Sequence, residues 1–447
     1  MRILHLPGRA VFGYSSGEIE DILNYFKPDI TVTTSMKDIQ RRKVEKNSFY
    51  ESIHLDTVMD FTQRKMGDEV LFLLNNAESL DKIDFTDYRG MRVTLITDQI
   101  KEEMNPKSFY FELVNTSIID RLLERLNDFN VLTTNIEAGK KPEYNGNRIY
   151  GFGLSNGLGG PKIPNVITGK RPHIETLNAS KVGLLAVPGL GDRFSTELQS
   201  KGIKSRRDLS SLHPNEILEH DGIGPYRSTK WVCSAKAIEE EDIYRINKND
   251  LEEKHRLFID IETDSLNPSI IWHIGVYDDS NEEYHSFLVK DPDKKGRIIE
   301  EFMDYLEENV REDSVLLAWY GKKFDFEHLD DFIDRYDPDR KHVWDSIEKI
   351  DFMYWTDKHA ALPCRSSKLY DVSSRLGYES DLLGLDGEDV ARMYTNYMED
   401  REKEPDWKEL KTYAKDDVVS MKYIYDRVKK APVLHDINDV KREYRKK

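Results

Sequence analysis

The sequence predicts a multidomain α/β protein, and three observations carry that prediction. Short apolar runs alternate with stretches of helical spacing in both the first and the last third of the chain, a compact all-helical pattern separates them, and a Gly-, Pro- and Asn-dense stretch precedes that pattern. A chain of 447 residues has room for several domains, at roughly 100–200 residues each.

Residues 2–6, 29–34, 69–74, 91–97 and 130–134 read as strands, and 19–26 and 117–126 as helices, so 1–140 is expected to form an α/β layer on a mostly parallel sheet. Its chemistry is silent. Residues 141–179 hold Gly151, Gly153, Gly157, Gly159, Gly160, Pro161 and Pro164 and are expected to be a linker or long loop. A phosphate cradle at 157–160 is disfavoured because no Lys-Ser/Thr pair follows it. Pro28 and Asp29 lack a Glu-x-Lys partner at nuclease spacing, since Glu137 and Lys140 stand too far apart.

Composition excludes several classes. Cys233 and Cys364 are the only cysteines, which rules out a disulfide framework or a zinc finger and favours a reducing compartment. No run approaches the ~18 apolar residues of a membrane span, so a soluble, cytoplasmic protein without membrane contact is expected. The net charge of -17 argues against bulk attraction to a polyanion. Residues 161–238 nevertheless carry twelve Lys/Arg against seven Asp/Glu, a basic island in an acidic chain.

Within that island, residues 187–198 (VPGLGDRFSTEL) and 221–231 (DGIGPYRSTKW) share a Gly-apolar-Gly turn followed by a helix start. Such a turn allows positive φ, and the helix behind it offers backbone N–H groups and a positive dipole end, together a phosphate-sized nest. Contacts of this kind hold a nucleic-acid backbone without reading bases. The segment 180–238 resembles a tandem helix-hairpin-helix domain, with 202–209 (GIKSRRDL) similar to its connector. The resemblance implies DNA-phosphate contacts from Gly189, Leu190, Gly191, Arg193, Gly222, Ile223, Gly224, Arg227 and Lys230. A turn used only for packing is the alternative.

Residues 255–263 (HRLFIDIET) form an apolar strand on which period two puts Phe258, Asp260 and Glu262 on one face. Paired buried acids repel unless a cation joins them, although a solvated strand face also explains an Asp-x-Glu. Residues 315–325 (VLLAWYGKKFD) read as a buried strand, a Gly turn and Asp325 at a helix start. In 410–428 helical periodicity puts Tyr413, Asp417, Met421, Ile424 and Val428 on one stripe, with Asp416 to its side. Four convergent carboxylates suit two Mg²⁺ or Mn²⁺ ions.

The order and types of these residues resemble the ribonuclease-H-like, four-carboxylate 3′→5′ exonucleases of the subtype with a tyrosine four residues before the last Asp. The likeness spans 257–428 and includes 366–377 (SSKLYDVSSRLG), which looks like the helix before the last motif. It implies Asp260, Glu262, Asp325 and Asp417 as metal ligands and Tyr413 as the group orienting the attacking water. Many relatives carry Asn where this chain has Tyr320, and Asp351 matches an acid given a supporting role.

The expected fold class is thus an N-terminal Rossmann-like α/β layer, a small all-α helix-hairpin-helix domain at 180–238, a ribonuclease-H-like mixed sheet with flanking helices at 251–430, and a basic tail at 431–447. The expected function is hydrolysis of nucleic-acid phosphodiester bonds by a two-metal mechanism, as a 3′→5′ exonuclease on DNA. The alternatives are a catalytically inactive DNA-binding scaffold of the same fold, and a glycosyltransferase-like activity in 1–140, for which no donor-binding motif is visible. The same N-terminal region could serve as a docking site for a protein partner.

Overall fold

The computed structural model describes residues 1–46, 49–106, 110–156, 160–218, 222–380 and 384–446. They divide into two compact units, Met1–Ala186 and Val187–Lys447. Gly157, Gly159 and Asp221 of the motifs above lie outside the described residues.

In the N-terminal unit the apolar runs form strands Arg2–Pro7, Ile30–Thr34, Glu69–Leu74, Arg92–Thr97 and Phe129–Glu137. They do not share one layer. Arg2–Pro7, Ile30–Thr34 and Glu51–His54 run parallel in a five-stranded sheet, while Glu69–Leu74, Arg92–Thr97, Phe129–Glu137 and Asn147–Gly153 run parallel in a six-stranded one. Ile3, Val32 and Ile53 of the first sheet share a buried core with Leu71, Leu73, Ile96 and Leu132 of the second. A strand buried on both faces reads as continuously apolar, so its sequence carries no sign of which sheet covers it.

The expected linker at 141–179 is instead structural. It supplies strands Glu143–Tyr144, Asn147–Gly153, Lys162–Ile167 and His173–Asn178, and the compact unit runs on to Ala186. The glycines serve close strand approach: a Cβ on Gly151 would stand 2.0 Å from the Glu137 carbonyl oxygen, and one on Gly153 would stand 2.5 Å from that of Thr134.

The second unit begins with helices Asp192–Ser200, Arg206–Ser210, Pro214–Ile217 and Pro225–Glu240. A five-stranded sheet follows in the order Glu283–Leu288, Ile271–Asp278, His255–Thr263, Ser314–Ala318, Glu348–Asp351. The first three strands are antiparallel and the last two pair in parallel. Leu257, Ile259 and Ile261 pack on one side with Phe302, Leu329 and Trp344, whereas Phe258 packs on the other with Met421, Ile424 and Tyr425 of the long helix Trp407–Lys430. That helix can lie close to the sheet because Gly275 pairs with Asp260; a Cβ there would approach the Tyr284 hydroxyl to 3.1 Å and the Ala414 carbonyl to 3.5 Å.

The expected basic tail is not free. Helix Ile437–Tyr444 buries Ile437 and Val440 and packs against Pro225–Glu240 and Pro214–Ile217. No helix among the described residues is long and apolar enough to cross a membrane.

Candidate functional site

The strand His255–Thr263 points Asp260 and Glu262 to the face covered by Trp407–Lys430, and the helical stripe of that helix delivers Asp417 above them. Asp260, Glu262 and Asp417 each present an oxygen within 4.8 Å of the others. Asp325 opens the helix Asp325–Tyr336 and lines the same cleft, but it stands outside that triplet. Its Oδ1 accepts the Ile261 N–H at 3.2 Å, beyond the point where pairing with the parallel strand Ser314–Ala318 ends.

The electrostatics are those of a site missing positive charge. Burial first, and then the Asp417, Asp325 and Glu262 carboxylates, push Asp260 well above the usual carboxylate range, and Glu262 rises for the same reasons. Burial, with Asp351 and Asp417 behind it, raises Asp325 to about 7, and burial with Asp416 raises Asp417 to about 7. Glu262 Oε1 is buried with no hydrogen-bond donor among the described residues. An orphaned carboxylate oxygen beside two further acids fits a divalent cation, which replaces the missing donors with charge.

Tyr413 hydrogen-bonds Asp417 one turn along the helix, and its hydroxyl is pushed far above its ordinary value, chiefly by burial and then by the Asp417, Glu262 and Asp260 charges. It therefore stays protonated at neutral pH. Asp416, to the side of the stripe, accepts the Tyr378 hydroxyl at 2.6 Å. Asp351 caps helix Phe352–His359 by accepting the Tyr354 N–H and also accepts the Lys322 N–H, so it holds the turn leading to Asp325.

The cleft encloses about 1180 Å³. Its rim includes groups that sequence patterns did not single out, among them Leu266, Lys323, His328, Arg392 and Thr395. The last two come from helix Gly387–Glu399, whose role shows only when it is seen to close one wall. Tyr320, in the left-handed region at φ 63°, also lines the cleft, with the Lys323 ammonium 3.2 Å from its hydroxyl.

The helices and turns before the sheet hold the two glycine hairpins. Gly189 and Gly222 have φ of 75° and 78°, while Gly191 and Gly224 precede helices Asp192–Ser200 and Pro225–Glu240. These four glycines, Arg193 and Arg227 are exposed, whereas the Leu190 and Ile223 side chains are buried. The Leu190 N–H is already used within the turn, donating to the Val187 carbonyl at 3.1 Å. Arg227 donates to the Gly222 carbonyl at 2.6 Å and stacks near Phe194 and Trp231.

Lys230 departs from expectation. Its ammonium is buried, bonds the carbonyls of Asp357 and Ala360, and pairs with the Asp357 carboxylate at 2.9 Å. It cannot also reach a phosphate. Helical spacing puts it on the inner face of a helix that packs on strand Ala360–Ala361, which no local pattern reveals. Lys230→Met should therefore cost about 2 kcal/mol of stability, from charge-assisted hydrogen bonds lost, with nucleic-acid affinity unchanged. A denaturant titration beside a filter-binding assay checks this.

Residues 257–429 match the family model of the RNase_H superfamily. The C-terminal domain is thus ribonuclease-H-like, a fold that is generally nucleolytic, acts on nucleic acid and uses divalent metals. No curated protein matches the chain.

Proposed function

We propose that the protein is a metal-dependent 3′→5′ exonuclease acting on DNA, in which the hairpin segment holds the substrate and the carboxylate cleft cuts it. The observation that carries this reading is the convergence of Asp260, Glu262 and Asp417 around a buried oxygen of Glu262 that lacks a donor, within a ribonuclease-H-like domain.

Asp260, Glu262, Asp325 and Asp417 would hold two Mg²⁺ or Mn²⁺ ions. Such ions stabilise both the attacking and the departing oxygen of phosphodiester hydrolysis. The protein's own part is positional. Asp260 and Glu262 are fixed by the strand, Asp417 by the helix above it, and Asp325 by the Ile261 amide. Tyr413, kept protonated, is suited to orient the attacking water by hydrogen bonding rather than to abstract its proton. A cleft only slightly larger than small-ligand pockets of ~300–1,000 Å³ suits the end of one strand better than a duplex.

At the hairpins the exposed glycines and the helix starts offer backbone N–H groups, with Arg193 and Arg227 beside them. Such contacts tolerate any sequence, as a degrading enzyme requires.

The test is stepwise shortening of 5′-labelled single-stranded DNA in Mg²⁺ or Mn²⁺, with RNA and circular DNA in parallel and EDTA as control. Cutting of the circular DNA, or internal fragments from the linear one, would refute the exonuclease reading. Gly191→Val with Gly224→Val should weaken DNA binding about tenfold or more while leaving hydrolysis of a minimal phosphodiester intact. A Cβ at either position meets nothing within 4 Å, so the fold tolerates the change and only the approach of a backbone is blocked.

A further inference from the structure

The carboxyl ends of parallel strands from both sheets of the N-terminal unit open onto a second cavity, of about 310 Å³. His5 and Arg9 come from the first strand and its loop, Thr34 and Asp56 from the second and third strand ends, and Asp98 and Asn135 from the other sheet. In α/β architectures this end of the sheet is where ligands bind, because loops there carry side chains into a shared crevice.

The hydrogen-bond polarity of the walls can be worked out. His5 Nδ1 lies 2.6 Å from the Phe152 carbonyl oxygen, which only accepts, so Nδ1 carries the proton. Burial lowers the His5 pKa to about 4, so the ring is neutral and Nε2 must accept from the Thr34 hydroxyl, 2.9 Å away. Thr34 therefore turns lone pairs, not a proton, toward the cavity. Asp56 and Asp98 add carboxylate acceptors, Asp98 Oδ1 already taking the Gln99 side-chain N–H at 2.8 Å, and neither is in an ion pair among the described residues. Arg9 is the one cation lining the cavity, exposed and likewise without an ion pair among the described residues.

The site is also held in shape. Asp56 Oδ2 accepts the Ser35 N–H at 2.6 Å where Ser35 takes φ 52°, and the Gly8 N–H donates to the Thr34 carbonyl at 2.8 Å. A Cβ on Gly8 would lie 2.2 Å from the Ser35 carbonyl oxygen, so the first and second loops lock together only with glycine there. A preformed cavity does not spend binding energy on ordering its loops.

We propose that this cavity binds a small phosphorylated sugar. Acceptors arriving from several strand ends call for several spaced donors, which vicinal hydroxyls supply and a single ammonium does not. The lone guanidinium calls for an anion, and phosphate matches its fork. The volume is at the small end of ligand sites, of the order of a pentose phosphate or a nucleoside monophosphate.

The test uses the full chain carrying Asp260→Asn, in EDTA, so that the carboxylate cleft takes up no metal-borne phosphate. Titration calorimetry with ribose 5-phosphate and adenosine 5′-monophosphate should show saturable binding of at least one. Arg9→Ala and Asp98→Asn should each weaken it about tenfold or more, with the melting temperature unchanged in the absence of ligand. No binding of either probe would overturn the proposal. So would binding that both variants leave intact, inorganic phosphate binding as tightly as the sugar phosphates, or a free amino acid binding in their place.

Discussion

Asp260→Asn is expected to reduce DNA cleavage on the order of a thousandfold or more while raising the melting temperature of the metal-free protein. Asp260 is the acid most hemmed in by the others, with Asp417, Asp325 and Glu262 all raising its pKa in addition to burial. Without a cation its charge is a burden, so a neutral isostere relieves the fold. With a cation the same charge is what holds the metal, and removing one ligand from a site that stabilises charge in the transition state costs orders of magnitude. Loss of activity through misfolding would lower the melting temperature instead. Single-turnover cleavage and thermal unfolding of the same preparation decide between the two. Unchanged cleavage would remove Asp260 from the site.

The second large effect is a dependence of stability on pH that metal abolishes. Asp325 and Asp417 have folded-state pKa values of about 7, against 3.8 for an ordinary aspartate. Below pH 4 both states are protonated and the cluster costs nothing. Between about pH 4 and 7 the unfolded chain releases protons that the folded site retains, so unfolding is favoured progressively as pH rises. The metal-free wild type should thus lose stability across this interval relative to Asp417→Asn, which cannot ionise there. The two should converge near pH 4 and be furthest apart above pH 7. Saturating Mn²⁺ should reverse the order at pH 7.5, because a ligand that binds only the folded state stabilises it and Asp417→Asn binds it less well. Thermal unfolding from pH 4 to 8, with EDTA or Mn²⁺, measures both. A gap that stays constant with pH in EDTA would show that Asp417 ionises in the folded state as easily as in water.

The candidate site was more legible than the domain plan. Period two on 255–263 put Asp260 and Glu262 on one face, and the helical stripe through Tyr413 and Asp417 put both toward the sheet, because a regular element fixes side-chain direction locally. Gly151 and Gly153 misled for the opposite reason. Glycine marks both a flexible connection and a place where two backbones nearly touch, and the neighbour that distinguishes these cases, the 134–137 backbone, is not adjacent in sequence. Lys230 misled likewise, since a lysine near a hairpin looks the same whether it faces solvent or the carbonyls of a distant turn.

By itself the sequence determined the strands at 2–6, 29–34, 69–74, 91–97 and 130–134, which acids point to a common face, and that the basic residues gather at 161–238 of an acidic chain. Periodicity and composition suffice for these because each depends on neighbours along the chain. Only the tertiary structure decided that the N-terminal strands divide between two facing sheets, that Asp325 caps a strand beside the triplet, and that Gly387–Glu399 walls the cleft. Those outcomes depend on which apolar faces cover one another, a choice made among surfaces far apart in sequence that are nearly equal in hydrophobicity.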